Sequence, residues 1–305
     1  MPCLGAHVGW WAHVVSRSGA AHHVRALAVF DKPGERGEPA AIRGSTGRVG
    51  FGPDLWSTHD GGVHWSKINL GSIWSLEAAG GQVHAVAFTQ INTTNTVAMV
   101  SSPTNRDAWA KTGSLQLGGG PVPATDLVLQ GGVGWVIEND RVVIAGARLA
   151  SGHWASWKPP CVTTGGSAVL SAATRSSLVA VCEQGIWGGP EPTAVRVYFS
   201  SDGGGTFYGR GAALPGETAA SGNVVASPAP GVVVTDIYTG SRHELIETFN
   251  SAASWETVAT ISGSMEFTYL GFTSASQGVA IANGRATSVL LMTFDGGRHW
   301  SPVTF

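Results

Sequence analysis

Residues 293–300 read Thr-Phe-Asp-Gly-Gly-Arg-His-Trp, and residues 58–65 and 200–207 repeat the same eight-residue frame. The frame consists of Ser or Thr, any residue, Asp-Gly-Gly, two further residues, and a closing Trp or Phe. Asp-Gly-Gly between apolar runs is typical of a tight β-hairpin turn. Glycine supplies positive φ angles there, and the Asp side chain accepts hydrogen bonds from nearby N–H groups. We therefore predict a hairpin at each copy.

Three weaker copies of the frame lie at 102–109, 147–154 and 248–255, so that successive closing aromatics are 44 to 53 residues apart. This period matches the length of one propeller blade, and four short apolar runs in each unit match its four strands. We predict an all-β fold, a β-propeller of four-stranded blades with six recognisable blades and a partial or degenerate seventh at the N-terminus. The predicted units are 36–70, 71–117, 122–161, 165–214, 222–263 and 265–305.

Residues 1–35 lack the frame but contain two candidate strands, 8–15 and 24–30. They form either part of a seventh blade or an extension outside the ring. We therefore divide the chain into an N-terminal segment, 1–35, and a propeller domain, 36–305.

The frame residues have a structural explanation that needs no catalysis. Local bonds between side chain and backbone already account for an acid at this position, and the closing aromatic is expected to pack beside the turn. In the three strong copies these residues are Asp60, Trp65, Asp202, Phe207, Asp295 and Trp300.

Composition excludes several classes of function. Charged residues make up 12% of the 305 residues and the net charge is −2, so there is no basic surface for a nucleic-acid backbone. No apolar run reaches the 18 to 20 or so residues of a membrane helix, and the first residues do not form a secretory signal pattern. His and Cys residues show no metal-binding spacing. We expect a monomer that needs no metal or cofactor and has no membrane span.

The frame and its spacing resemble the Asp-box, or BNR repeat, of sialidases, sortilin-type receptors and photosynthesis assembly factors. Residues 49–62, 270–279 and 290–305 resemble the BNR-repeat propellers of actinobacteria. The resemblance covers about residues 36–305. It implies an exported or envelope-associated protein of undefined activity, while the missing signal pattern leaves the cytoplasm open.

Cys161 and Cys182 enclose 20 residues. A disulfide there would contribute roughly 3 kcal/mol on the loop-entropy model. Two buried thiols are the alternative, and the sequence does not separate the two. Cys3 gives no evidence for either the disulfide or the buried thiols.

A ligand is expected on the face formed by the turns between second and third strands. We predict a non-catalytic binding or assembly module that presents this face to a protein or glycan. Candidate contacts are Glu183, Trp187, Tyr238, Arg242 and Arg285.

The alternative is a glycoside hydrolase on the same scaffold, of sialidase type. Its acids would come from a small set near the channel, of which no two are paired by the sequence. This set comprises Asp126, Glu138, Asp140, Glu183, Asp236 and Glu266, with Glu244 as a further candidate.

Overall fold

A computed structural model describes residues 26–30, 54–59, 64, 66–79, 81–91, 94–116, 124–140, 142–162, 167–184, 194–209, 214–215, 224–262, 264–284 and 287–303. All regular secondary structure in these ranges is β-strand. The chain divides into two compact units, one of residues 1–138 with 146–157 and the other of residues 139–145 with 158–305.

The strands up to residue 156, which lie in the first unit except for residues 139–145, form three antiparallel sheets, which we number as blades one to three. Blade one contains β1 (Ala26–Phe30), β2 (Asp54–Thr58) and β3 (Ser66–Ile68). Blade two contains β4 (Ser72–Ala79), β5 (Gln82–Ile91), β6 (Thr94–Pro103) and β7 (Ala110–Gln116). Blade three contains β8 (Ala124–Gln130), β9 (Val133–Asp140), β10 (Val142–Ala150) and β11 (His153–Ser156).

The second unit contains blades four to six, each a four-stranded antiparallel sheet. Blade four contains β12 (Ala168–Ala172), β13 (Leu178–Gln184), β14 (Ala194–Ser200) and β15 (Tyr208–Gly209). Blade five contains β16 (Val225–Ala226), β17 (Val233–Tyr238), β18 (Arg242–Thr248) and β19 (Glu256–Ser262). Blade six contains β20 (Met265–Phe272), β21 (Gly278–Gly284), β22 (Ser288–Thr293) and β23 (Ser301–Pro302).

The strands of each sheet are hydrogen-bonded in chain order. Five successive four-stranded meanders confirm the predicted all-β fold and its blade pattern from residue 71 onward. Blade one has three described strands, and its β1 comes from the segment before residue 36, with Ala28 opposite Trp56. The remainder of 1–35 lies outside the described residues, so its relation to the propeller stays a prediction.

Each closing tryptophan described packs into the seam between its own blade and the preceding one, where a seam is the apolar interface of two successive blades. In the first unit, Trp109 joins the core between blades one and two, and Trp154 joins that between blades two and three. In the second unit, Trp255 and Trp300 occupy the two corresponding seams. The closing aromatic therefore does more than pack beside its turn, because it buries apolar surface shared by two sheets.

The third-to-fourth-strand turns of the second unit are tied to the first-to-second-strand turns of the same blades. In blade four the N–H of Gly203 donates to the carbonyl of Ser176 at 2.9 Å, and in blade six Gly296 donates to Ser276 at 2.9 Å. Both turns therefore lie at one edge of the blade, and the turns between second and third strands lie at the opposite edge.

Candidate binding site on blade five

The frame turn of blade four is held by Asp202. Its Oδ1 accepts hydrogen bonds from the Ser200 hydroxyl at 2.7 Å and the Thr206 N–H at 3.0 Å, and its Oδ2 accepts from the Thr206 hydroxyl at 2.7 Å. Gly203 and Gly204 have φ angles of 72° and 85°. These bonds, that from the Thr206 N–H foremost, hold the pKa of Asp202 well below its usual range.

Blade six repeats this arrangement around Asp295. Its Oδ1 accepts from the Thr293 hydroxyl at 2.9 Å and from the N–H of His299 at 3.0 Å, while the His299 ring contacts Oδ2. The His299 side chain is the main reason that the pKa of Asp295 falls to about 2. The oxygens of both carboxylates are thus engaged within their own turns.

Blade five keeps the turn although its copy of the sequence frame lacks the Asp-Gly-Gly residues. Asn250 Oδ1 accepts from the Thr248 hydroxyl at 3.0 Å and from the N–H of Ser254 at 2.9 Å. Ser251 and Ala252, which replace the two glycines, still adopt positive φ angles of 57° and 64°. An amide oxygen substitutes for the carboxylate, and two strained residues substitute for glycine.

The other frame residues are placed as follows. Phe207 is half-buried, and Trp300 meets the Phe272 ring edge-on, with centroids 5.9 Å apart. Asp60 and Trp65 lie outside the described residues.

At the opposite edge of blade five, the β17–β18 hairpin brings together two of the predicted ligand contacts. The Tyr238 hydroxyl donates to the carbonyl of Gly240 at 2.7 Å, and Gly240 has a φ of 86°. The Tyr238 ring lies against His243, with centroids 4.8 Å apart. Arg242 closes the turn, because its carbonyl accepts from the N–H of Thr239 at 3.1 Å.

Arg242 is fixed by a buried acid. Its Nε donates to Oε1 of Glu244 at 2.6 Å, and the Thr257 hydroxyl donates to Oε2 at 2.9 Å. The Arg242 side chain is 58% exposed, whereas that of Glu244 is 6% exposed. The guanidinium is therefore anchored on its inner side and presented to solvent on its outer side, an arrangement suited to a planar anion. We call Tyr238, Arg242, His243 and Glu244 the hairpin cluster.

Polar side chains continue from the hairpin cluster towards blade six. Ser262 lies opposite Arg242 in the β18–β19 pair, and its hydroxyl is 3.2 Å from that of Ser264. On blade six the amide of Asn283 donates to the Thr268 hydroxyl at 2.9 Å. The edge around the hairpin cluster therefore offers several hydroxyl and amide groups.

Three predicted contacts are not joined to this cluster by the structure. Glu183 lies in β13 opposite Val195, but its side chain is outside the described part of the chain. Trp187 and Arg285 also lie outside the described residues.

The predicted channel acids that the structure describes differ in burial. Glu138 is fully buried, and burial raises its pKa to about 9. Asp236 is also buried, and its Oδ1 accepts from the N–H of Val224 at 3.0 Å. Asp126 on β8 and Glu266 on β20 are partly buried, and the side chain of Asp140 is not described.

Glu77 is a partly buried acid that the sequence analysis missed. It accepts a hydrogen bond from the N–H of Leu129 in the next blade. Burial raises its pKa well above the usual range, Leu129 opposes the rise, and Asp126 adds to it. Ser171 is at the same register position in blade four and accepts from the N–H of Ser227 in blade five at 2.9 Å. Glu77 therefore links the first strands of blades two and three, and no local motif signalled it.

Cys161 and Cys182 form a disulfide with their Cα atoms 5.6 Å apart. The bridge ties the segment that follows β11 to the second strand of blade four. Cys161 has a φ of 70°, a backbone conformation unusual for a residue other than glycine.

The described residues contain neither a metal-binding cluster nor a membrane-spanning helix. No group of three or more His, Cys, Asp or Glu side chains in these ranges is arranged to hold a metal ion. No helix there is long and apolar enough to cross a membrane.

Comparison with known proteins identifies the fold. No family model and no curated protein matches the chain. The structure is similar to the β-propeller domain of the Trilobed protease from Pyrococcus furiosus, with a TM-score of 0.55 and 11% identity over 92% of this chain and 80% of that one. It is also similar to an ulvan lyase, a polysaccharide lyase, with a TM-score of 0.53 and 11% identity over 97% and 86% of the two chains.

A third similar structure is an α-L-arabinofuranosidase from Fusarium graminearum in complex with an iminosugar inhibitor. Its TM-score is 0.52, with 13% identity over 89% of this chain and 90% of that one. At such identities the likeness defines the class of fold alone, and this chain has a β-propeller fold.

Proposed function

We propose that this β-propeller is a non-catalytic binding module whose ligand is a carboxylate-bearing glycan held at the hairpin cluster. The observation that carries the proposal is the Arg242–Glu244 pair. A buried carboxylate holds Nε of Arg242, so the planar cation is positioned before a ligand arrives. Fixing a binding group in advance reduces the entropy lost on binding.

The surroundings of Arg242 favour a sugar as the carrier of the carboxylate. The Tyr238 ring lies on the same hairpin as Arg242, and aromatic rings offer apolar contact beside polar groups. Ser262 and Ser264 add hydroxyl groups that suit a hydroxyl-rich ligand. Glu183, Trp187 and Arg285, the remaining contacts predicted from the sequence, are proposed as further contacts.

The placement of the acids supports binding without catalysis. Glycoside hydrolysis requires two carboxyl groups about 5 to 9.5 Å apart on either side of the scissile bond. Glu244 is engaged with Arg242 and Thr257, and Glu138 is fully buried. Asp202 and Asp295 are engaged in turns at the other edge of their blades.

We further propose that the chain belongs to the Asp-box group and is exported or attached to the cell envelope. The hydrogen-bonded turns at Asp202 and Asp295 support the first assignment. The Cys161–Cys182 disulfide supports the second, because such bonds persist in oxidising compartments.

The test is a glycan array that includes uronic acids and sialosides, followed by calorimetry on each hit. Arg242→Gln should weaken binding at least tenfold, or about 1.4 kcal/mol. The matched control is Arg175→Gln, which removes an equal charge in the turn between β12 and β13 at the opposite edge of blade four. Turnover of fluorogenic glycosides by the wild-type protein would overturn the non-catalytic assignment. Binding of acidic peptides but no glycan would overturn the ligand class.

A further inference from the structure

The seam between blades five and six contains a carboxyl group that the proposed binding function does not use. Glu247 on β18 is fully buried, and neither of its oxygens has a hydrogen-bond partner in the described part of the chain. It lies beneath the frame turn of blade six, where a Cβ on Gly297 would be 2.7 Å from both carboxylate oxygens. The turn therefore rests directly on this carboxyl group.

Packing alone does not require an acid at this position. The residues at the same register in the neighbouring blades are Phe199 and Met292, each one residue before the frame and opposite a β-strand valine. Both are apolar, and Phe199 lies in the apolar core between blades four and five. Glu247 thus replaces the apolar residue that blades four and six have at this position, whereas the corresponding residues of blades one to three are Ser57, Ser101 and Gly146.

Charged groups face Glu247 from the two elements packed on it. From the blade-six turn, Arg298 favours its ionisation and Asp295 opposes it, and from β19 the cross-strand Glu256 opposes it as well. Asp295 is itself in contact with His299. Burial, the largest effect, raises the pKa of Glu247 to about 8. The group is therefore neutral at pH 7 and ionises just above it.

Arg298 is the cation that could form an ion pair with an ionised Glu247. Its guanidinium lies over the Phe249 ring, 4.0 Å from the centroid, and Nη1 donates to the carbonyl of Asp295 at 3.3 Å. Both residues adjoin the Glu247 region, since Phe249 is two positions further along the chain and Arg298 follows Gly297.

We propose that Glu247 is a pH-sensitive latch. As a neutral acid it packs against the blade-six turn and keeps it in place. As a carboxylate it displaces that turn and draws Arg298 away from Phe249. A buried carboxylate without partners is far costlier than its neutral form. The proton leaves to solvent, and the turn must then shift so that water and Arg298 reach the carboxylate. The same turn carries Phe294, which is 69% exposed, so the latch alters an exposed surface.

Tryptic cleavage after Arg298 in the native protein tests the latch, because the peptide bond is cut only when the turn opens. Cleavage at this bond is followed by mass spectrometry from pH 6.5 to 8.5 and divided by that of a free peptide of residues 294–302 at each pH. In the wild-type protein the ratio should rise by at least about tenfold, since below its pKa the ionised fraction of a group grows tenfold per pH unit. In Glu247→Gln it should stay within about twofold.

Glu256→Gln is the matched control, because it removes an equal charge from an exposed neighbour. Since Glu256 opposes the ionisation of Glu247, this variant should keep the rise in cleavage but show it at slightly lower pH. If Glu247→Gln fails to fold, Glu247→Met, which copies Met292 of blade six, gives the same readout. A profile shared by the wild-type and both Glu247 variants would overturn the proposal, as would loss of the pH dependence in Glu256→Gln.

Discussion

Arg242 and Glu244 are joined by a hydrogen bond of 2.6 Å between Nε and Oε1, across the boundary between solvent and the interior of blade five. The arginine is mostly exposed and the glutamate is almost completely buried. The two residues lie on the same face of β18, because side chains two positions apart in a strand point to the same side. The pair thus links the presented cation to the packing of the blade.

Removing the arginine should destabilise the fold as well as weaken binding. Arg242→Ala leaves Glu244 buried with only the Thr257 hydroxyl as a partner, and we expect a loss of about 1–3 kcal/mol in unfolding free energy. Urea unfolding measures it. The double variant Arg242→Ala with Glu244→Gln should recover part of the loss, since the uncompensated charge is gone. An unchanged unfolding midpoint in the single variant would show that the pair is not coupled to stability.

The blade-six turn should lose stability at acid pH. The folded pKa of Asp295, about 2, lies below its ordinary value of 3.8, so its contribution is complete above about pH 4 and is lost as the pH falls through 2. Because the side chain is 41% exposed, we expect less than about 1 kcal/mol. Asp295→Asn should flatten this part of the stability curve, as measured by thermal melts from pH 5 to 2. Equal slopes for the two proteins would contradict the prediction.

Restoring glycine to the blade-five turn should stabilise it. Ser251 has a φ of 57°, whereas its counterpart Gly203 has a φ of 72°. The backbone N–H of each of these two residues donates to a carbonyl in the turn between the first and second strands of its own blade. Ser251→Gly should raise the unfolding free energy by up to about 1 kcal/mol, the cost of the left-handed conformation for a residue with a Cβ. Gly203→Ser is the reciprocal control and should lower it by a similar amount, as seen in chemical denaturation. Destabilisation by both changes would refute the strain argument.

Reduction of the Cys161–Cys182 disulfide should lower the stability of the second unit, which contains blade four. The Cys161–Cys182 bridge closes a loop of 21 residues in sequence separation, worth roughly 3 kcal/mol on the chain-entropy model. Thermal melts with and without reductant measure the effect. The Cys161→Ala, Cys182→Ala double variant should match the reduced wild-type protein. Thiol titration that finds both cysteines free in oxidised protein would refute the bridge.

Replacing Glu138 with glutamine should stabilise blade three at neutral pH. Its folded pKa, about 9, exceeds its unfolded value, so the folded form keeps its proton while the unfolded form loses it. Stability is therefore lost as the pH rises from about 4.5 to 9. Glu138→Gln should remove this loss, on the order of 2–3 kcal/mol at pH 7, as measured by urea unfolding at pH 5 and 7. Glu256→Gln, at an exposed glutamate, should leave the slope unchanged.

The parts of the fold that could be predicted are those whose contacts are local in sequence. The turn at Asp202 is complete within eight residues, because its partners Ser200 and Thr206 are inside the frame. The period of the frame then defines the blades. The bond from Leu129 to Glu77 spans 52 residues and forms only once two blades pack. No local pattern marks Glu77 as its acceptor.

The candidate site likewise has residues that the sequence could predict and others that only the packed structure reveals. Tyr238 and Arg242 could be named from their place in a second-to-third-strand turn, since strand order determines which turns share an edge. The role of Glu244 could not be predicted, because its burial and its two partners depend on the register of β18 against β19.

The sequence by itself determined the repeat, the all-β class and the hairpin turns, because a turn that bonds its own side chains carries its information within a few residues. The tertiary structure decided which carboxyl groups are buried and uncharged, which acid holds Arg242, and where each closing tryptophan packs. These properties arise when sheets distant in sequence exclude water from a common seam, and the energy of a charge depends on that exclusion.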